Sequence, residues 1–284
     1  MIKNMEIIIN NNKKTEDLKS EIRKEGFDKI HILADFYRTL TYGSVDGKKT
    51  PSIISMLRDG NHLLSDYSEK AHKLFDKYHK IEIDPNIDIE EKKKAMKTWW
   101  QEHNELLIKS GLNKKDLVDI VENGHIRFRD GVEEFLDFLY KKNIPLIIFS
   151  ASGCGDAIQL FFHKYKKDYS NIFYVTNKFY WDKKDNAISY QDLIIHSLNK
   201  DETILKEIPE VFEKIENRKN VILMGDSMGD LGMVKGFEYK NLLSIGFLNF
   251  NFDELRDIYK ENFDVVLEGD GDFNFINNLM EDLN

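Results

Sequence analysis

Three short apolar runs, each leading into acidic or hydroxyl residues, constrain this chain more than any other feature. Ile30 to Phe36 reads IHILADF, Pro145 to Ser150 reads PLIIFS, and Val221 to Met224 runs into GDSMGD. Apolar runs this short, bounded by polar residues, predict buried strands. In an open parallel sheet, ligands bind beyond the carboxyl ends of the strands. Asp35, Ser150 and Asp226 are therefore expected along one sheet edge, the arrangement required of a phosphate and metal site. A further run, Ile172 to Val175, leads into YWDKKDNAISY, where Lys183 to Asn186 reads as a hairpin tip. Leu242 to Ile245 and Val265 to Leu267 complete the sheet, and Asp130 to Lys142 has the apolar spacing of a helix.

Between about Ser44 and Arg127 the pattern changes to long charged segments with helical spacing, over 65–80 and 89–110. Asp88 is the expected N-cap of the second, with Glu90 and Glu91 in its first turn. The organisation predicted is an α/β core of residues 29–43 and 128–284, a helical cap of residues 44–127 inserted after the first strand, and an N-terminal arm of residues 1–28. The arm is expected to be flexible or loosely docked, with a surface helix over Thr15 to Lys24 ending near Gly26.

Lys and Arg number 41 against 50 Asp and Glu, a formal net charge of −9, which argues against a nucleic-acid polymer or an anionic membrane as partner. A small anionic substrate then needs a local positive site. The one cysteine, Cys154, allows no intrachain disulfide and fits a reducing compartment. With no apolar run approaching the roughly 20 residues of a membrane span, a soluble cytoplasmic protein is expected. Oligomeric state is not legible.

The order Asp35 with Thr39, then Ser150, then Lys200, then Asp226 and Asp230 resembles the four-motif haloacid dehalogenase superfamily. The stretches DFYRTLT, EIDP, FSASGCGD, Asn199–Lys200, LMGDSMGDLGM, IGFLN and DVVL, spanning about Ile30 to Leu267, are similar in order to those of pyrimidine 5′-nucleotidases. That resemblance implies a haloacid-dehalogenase-like, doubly wound core and Mg²⁺-dependent hydrolysis of nucleoside 5′-monophosphates through an aspartyl phosphate. By the same resemblance Asp35 is the nucleophile. Mg²⁺ is held by Asp35, the backbone carbonyl of Tyr37 and Asp226, with Asp230 nearby orienting its ligands. Ser150, Ala151, Ser152 and Lys200 bind the phosphate.

Read without the resemblance, several of these residues admit a plainer role. Asp35 and Asp230 are also helix-capping types, Lys200 is one of many lysines, and Cys154 between two glycines is a small loop residue. The chain departs from the family pattern twice. Where the family has a second aspartate, the general acid and base, this chain has Tyr37. A phenol, with a reference pKa near 10, donates a proton but is a poor base at neutral pH. In the cap, Thr98 stands where the family places an acidic residue before a tryptophan. Trp99, Trp100 and His103 remain to meet a nucleobase, with Trp99 favoured over Trp100 because adjacent helical residues point about 100° apart. Three readings stay open: a working nucleotidase, a silenced relative that binds nucleotide without turnover, and a slow nucleoside phosphotransferase.

Overall fold

The structure is a computed structural model and describes residues 6–60, 62–236 and 238–284. The chain opens with β1 (Glu6–Ile9), α1 (Asn12–Glu25) and β2 (Ile30–Ala34), followed by a tight turn at Phe36–Leu40. A short ribbon, β3 (Ser44–Val45) and β4 (Lys48–Lys49), leads into α2 (Ile53–Asp59), α3 (Tyr67–Ile83), α4 (Ile89–Lys109) and α5 (Lys114–Asn123). The α/β pattern then resumes with α6 (Val132–Lys141), β5 (Leu146–Phe149), α7 (Asp156–Lys164) and β6 (Ile172–Val175). A hairpin, β7 (Phe179–Trp181) and β8 (Ala187–Tyr190), precedes α8 (Glu202–Lys206), α9 (Pro209–Ile215) and β9 (Asn220–Gly225). The chain ends with β10 (Asn241–Leu248), α10 (Phe252–Asn262), β11 (Val265–Glu268) and α11 (Asn274–Asp282).

Among the described residues seven strands form one sheet in the order β1-β11-β10-β9-β2-β5-β6. The six strands from β11 to β6 run parallel, as continuous apolar runs require, because only crossover helices on both faces can cover them. Alternation along β2 shows the two faces directly. Ile30, Ile32 and Ala34 join the apolar layer containing Ile22, Leu136, Phe161 and Ile276, whereas Leu33 joins the one containing Leu205, Val211 and Tyr259.

The N-terminal segment corrects one expectation. Glu6 to Ile9 is not a loose arm: it pairs antiparallel with β11, Ile7 opposite Leu267, and forms the edge of the sheet. Its Ile run pairs with a neighbouring strand, and Ile22 of α1 is fully buried. The helix itself lies close to where it was expected, ending on Gly26, whose φ of 77° suits a residue without a Cβ. The strand that carries Asp35 is therefore second in the chain, and the cap follows it.

The segments entering and leaving the cap lie side by side. Thr41 bridges Phe128, and Tyr42 N–H donates to the Arg127 carbonyl at 3.0 Å. The β7–β8 hairpin fastens the cap from the other side, where Lys114 N–H donates to Asp185 O and Ala187 N–H to Leu112 O, each at 2.9 Å. Asp88 caps α4 by accepting from Glu90 N–H at 2.9 Å. No helix among the described residues is long and apolar enough to cross a membrane.

Candidate active site

Register places the chemistry. Ala34 of β2 pairs with Met224 on β9 and Ile148 on β5, so Asp35, Asp226 and Ser150 leave three adjacent strands at nearly one level. Asp35 is 7% exposed, and its Oδ1 accepts from Lys200 Nζ at 2.7 Å. The same ammonium donates to Asp230 Oδ1 at 2.5 Å. Lys200, distant in sequence, is thereby buried between two carboxylates.

Asp230 combines this with the capping role that its residue type allowed. Its Oδ2 accepts from Ser227 N–H at 3.0 Å and from Ser227 Oγ at 2.9 Å, closing a capping box over the turn Met228–Val234. Both oxygens are thus engaged, and Asp230 positions Lys200. Gly225 makes this possible, since a Cβ there would lie 2.3 Å from the Asp230 Cβ.

The charges converge without enough cation. Burial pushes the Asp35 carboxyl up to about 6, with Lys200 pulling it down and Asp230 pushing it up. Asp226 is pushed up to about 8, by burial first and then by Asp35 and Asp230. Burial works against the Lys200 ammonium, yet Asp230 and Asp35 outweigh it and hold its pKa above the usual lysine value. Among the described residues no three His, Cys, Asp or Glu side chains gather as a ready metal cluster. The expected set needs only two carboxylates, Asp35 and Asp226, with a carbonyl. Hard oxygen donors carrying unbalanced negative charge fit a magnesium ion.

Ser150, 1% exposed, follows β5, and its Oγ accepts from Ser152 N–H at 3.3 Å. Asn177 grips the same loop, donating to the Ser152 carbonyl at 3.0 Å. Cys154 is buried and its thiol is pushed up by that burial, which leaves it an inert loop residue.

Tyr37 lies among these groups but is not poised for proton transfer. Its phenol oxygen lies 3.3 Å from Ser152 Oγ and accepts from Ile53 N–H at 3.4 Å, spanning from the loop after β5 to the start of α2. Burial pushes its pKa above the usual tyrosine range, so it is neutral at pH 7.

A cavity of about 520 Å³ runs from Asp35, Tyr37 and the loop 150–153 to the cap. Both Trp99 and Trp100 line it, which corrects the expectation that one of them faces the substrate. Their rings stack at 6.1 Å with planes 11° apart, and Trp100 also stacks on His103 at 5.7 Å. Trp100 lies directly on the loop 150–153, where a Cβ on Gly153 would come within 2.2 Å of its ring. His103 is buried, shares a 3.0 Å hydrogen bond with Tyr67 Oη through Nε2, and leaves Nδ1 without a partner. Burial and Arg58 hold its pKa down at about 4, so the ring is neutral.

Thr98 does not belong to the site. It is exposed on α4, its hydroxyl donating to the Lys94 carbonyl at 2.9 Å, because its position on the helix turns it away from the cavity that Trp99 and Trp100 line. The cap nevertheless supplies an acid that the sequence reading did not assign. Glu82, near the end of α3, lines the cavity and accepts from Ser197 Oγ of the core at 2.7 Å. The EIDP stretch contained it, but nothing in its spacing tied it to the tryptophans.

Arg129 was also missed. It is 2% exposed and donates to the carbonyls of Thr39 (2.9 Å), Arg38 (2.7 Å) and Gly271 (2.7 Å) and to Asn249 Oδ1 (2.6 Å). Asp270 lies 3.0 Å away as its counter-ion. These bonds fix the turn immediately after Asp35.

Known proteins share this sequence and arrangement. The family model described as Pyrimidine 5′-nucleotidase (UMPH-1) matches residues 38–284. A 7-methylguanosine phosphate-specific 5′-nucleotidase of Gallus gallus is 35% identical over 263 residues, covering 91% of this chain and 89% of that protein. The crystal structure of cytosolic 5′-nucleotidase IIIB bound to cytidine superposes with a TM-score of 0.85 at 26% identity, covering 98% of this chain and 93% of the other. A substrate-bound phosphoserine phosphatase shares the fold, with a TM-score of 0.51 at 17% identity over 89% of this chain and 97% of that one. By sequence and by fold, this chain belongs to the pyrimidine 5′-nucleotidase (UMPH-1) family, phosphoric monoester hydrolases with the haloacid-dehalogenase fold.

Proposed function

We propose that this chain hydrolyses nucleoside 5′-monophosphates through an aspartyl phosphate on Asp35, and that its preferred base is 7-methylguanine. One observation carries the reading: a single cavity joins Asp35 and the loop 150–153 to two tryptophans and a carboxylate, Glu82. The relatives named for 7-methylguanosine phosphate point to the same base. A guanine methylated at N7 carries positive charge on its imidazole ring, so it gains from an indole face and from a nearby carboxylate in a way an uncharged base does not. A structural relative was solved with cytidine, which makes CMP the first competitor to test.

Lys200, hydrogen-bonded to Asp35, favours its ionised form against the burial that raises its pKa. The Asp35 carboxylate oxygen attacks phosphorus, the bond to the 5′ oxygen breaks, and that oxygen leaves with the electron pair and takes a proton from solvent water to become the nucleoside hydroxyl. Water then attacks the phosphorus of the aspartyl phosphate, the bond to Asp35 breaks, and inorganic phosphate leaves as the proton passes to solvent. Ser150 and the following amides hold the phosphoryl oxygens, and Lys200 balances their charge. Asp35, Asp226 and the Tyr37 carbonyl would hold Mg²⁺, which when bound neutralises the phosphoryl oxygens. A single cysteine is compatible with a reducing compartment, and the cytoplasm is the location proposed.

Phosphate release from 7-methylguanosine monophosphate, GMP, CMP and UMP with Mg²⁺, against Asp35→Asn as blank, tests this. The methylated nucleotide should have the highest kcat/KM. No release above the blank from any of the four rejects the hydrolase reading, and a preference for CMP rejects the base assignment.

A further inference from the structure

The turn that follows Asp35 holds a cation that the reaction above leaves unused. Arg38 has φ 56° and ψ 5°, in the left-handed region where a side chain is strained and glycine is not. The backbone is held there from several directions. Its carbonyl accepts from Arg129 Nη2 at 2.7 Å and Asn249 Nδ2 at 2.9 Å, and its N–H donates to Thr41 Oγ1 at 2.9 Å. Among the described non-glycine residues with positive φ, Arg38 alone borders the substrate cavity. A strained position that carries a long cationic side chain, at a place where glycine fits better, points to a use for that side chain.

The side chain is poorly satisfied by the protein itself. Its Nε is buried without a hydrogen-bond partner; the residue as a whole is half-buried, and its charge bears on Asp226 without a hydrogen bond to that carboxylate. The guanidinium carbon lies 6.0 Å from the Phe250 ring centroid, a weak contact at the outer limit for such pairs. A charged donor left unmatched is costly, and the fork of a guanidinium is matched best by oxyanions such as phosphate. The location is also right, since Arg38 shares the cavity wall with Asp35, Ser150 and Ser152.

Charge balance agrees. Asp35, Asp226 and Asp230 face Lys200, and the position two residues after the nucleophile carries a phenol in place of a carboxylate. With that carboxylate absent and a guanidinium beside it, the site is more positive than the family pattern implies. The Tyr37 phenol is engaged with Ser152 and Ile53, which puts the weight on electrostatic stabilisation of the phosphoryl group.

We propose that Arg38 is a phosphate-binding residue of this site, its guanidinium donating to an oxygen of the substrate's phosphoryl group. The proposal rests on the hydrolase reading above and adds a residue to it.

Calorimetric titration of the whole protein with inorganic phosphate in Mg²⁺ buffer tests the proposal independently of turnover. Arg38→Gly suits the local backbone, so it should keep the melting temperature within about 3 °C of the native protein. It should weaken phosphate by about ten- to a hundredfold, the scale of one charge-assisted hydrogen bond. Arg38→Lys should recover part of that loss. Should Arg38→Gly not fold, Arg38→Gln takes its place with the same expected loss. Native phosphate affinity in the glycine variant overturns the proposal, as does a gain in Mg²⁺ affinity with phosphate unchanged, which would make Arg38 only a counter-charge to Asp226. Lys200→Met separates the two levels. If phosphate binding survives both Lys200→Met and Arg38→Gly, the anion lies outside this cavity and the hydrolase reading of the site falls too. If it survives only Arg38→Gly, Arg38 alone is misassigned.

Discussion

Replacing Tyr37 with phenylalanine should barely slow the enzyme, although Tyr37 occupies the position of the family's acid and base. The phenol oxygen is 3.3 Å from Ser152 Oγ and 3.4 Å from Ile53 N, both beyond the usual hydrogen-bond lengths. Two such long bonds sum to about 0.5–1 kcal/mol of stability, at the low end of the range for a neutral hydrogen bond. For a chain of this size that corresponds to a fall in melting temperature of roughly 1–2 °C. The kcat should stay within about threefold of native, because a phenol raised above its usual range and tied to two neighbours contributes little proton transfer.

Tyr37→Asp completes the test. A carboxyl group there restores the missing acid and base, and positioned acid–base catalysis contributes about 10² to 10⁴ in rate. A gain of about ten- to a hundredfold is expected, below the full effect because the pocket is shaped for a larger ring. Rapid-quench measurement of phosphate and nucleoside locates the change. The native enzyme should release nucleoside in a burst while the aspartyl phosphate waits for water, and the aspartate variant should lose that burst. A fall of more than about a hundredfold in Tyr37→Phe, with the melting temperature nearly intact, would refute this reasoning and make the phenol the proton donor.

The remaining predictions concern the cap and pH. Trp100→Ala should lower kcat/KM for nucleotides by about tenfold or more, since base–aromatic stacking contributes about 1–3 kcal/mol, while p-nitrophenyl phosphate, which has no nucleobase, should change much less; equal losses on both would place Trp100 in structure rather than recognition. Glu82→Gln should reduce the preference for 7-methylguanosine monophosphate over GMP by about tenfold, and an unchanged ratio would remove Glu82 from base recognition. His31 and His103 are both held down at about 4 from 6.5, chiefly by burial, so the unfolded chain binds more protons between those values and stability falls as pH drops through that window. The loss should reach about 2 kcal/mol per histidine by pH 5, and a chemical-denaturation midpoint that stays flat from pH 7 to pH 5 would contradict it.

The core was legible in the sequence because a parallel sheet writes its function at strand ends. IHILAD, PLIIFS and ILMGD each announce a buried strand and the residue that follows it, and the register of β2 with β5 and β9 turns that order into adjacency. The N-terminal strand was not legible as sheet. EIII is too short to show a period, and its place is decided by β11, more than 250 residues away, which offers an open edge.

The cap was less legible for a related reason. A helix presents neighbours three or four residues apart, but a cavity between two helices and a loop collects residues by how those elements cross, and spacing along one helix carries no record of that. Trp99 and Trp100 point apart on an ideal helix, yet both border the cavity, because it wraps around that face of α4 toward α3 and the loop 150–153. The acid opposite them therefore need not be their sequence neighbour. Thr98, adjacent in sequence, faces solvent, while Glu82 at the other helix's end reaches both the cavity and Ser197, three residues before Lys200. A carboxylate bound to that core loop ties the cap's position to the loop that carries Lys200. If Glu82 meets the base and Lys200 the phosphate, as proposed, this one hydrogen bond of 2.7 Å couples the two, and Glu82→Gln should disturb KM for the whole nucleotide as well as the choice of base.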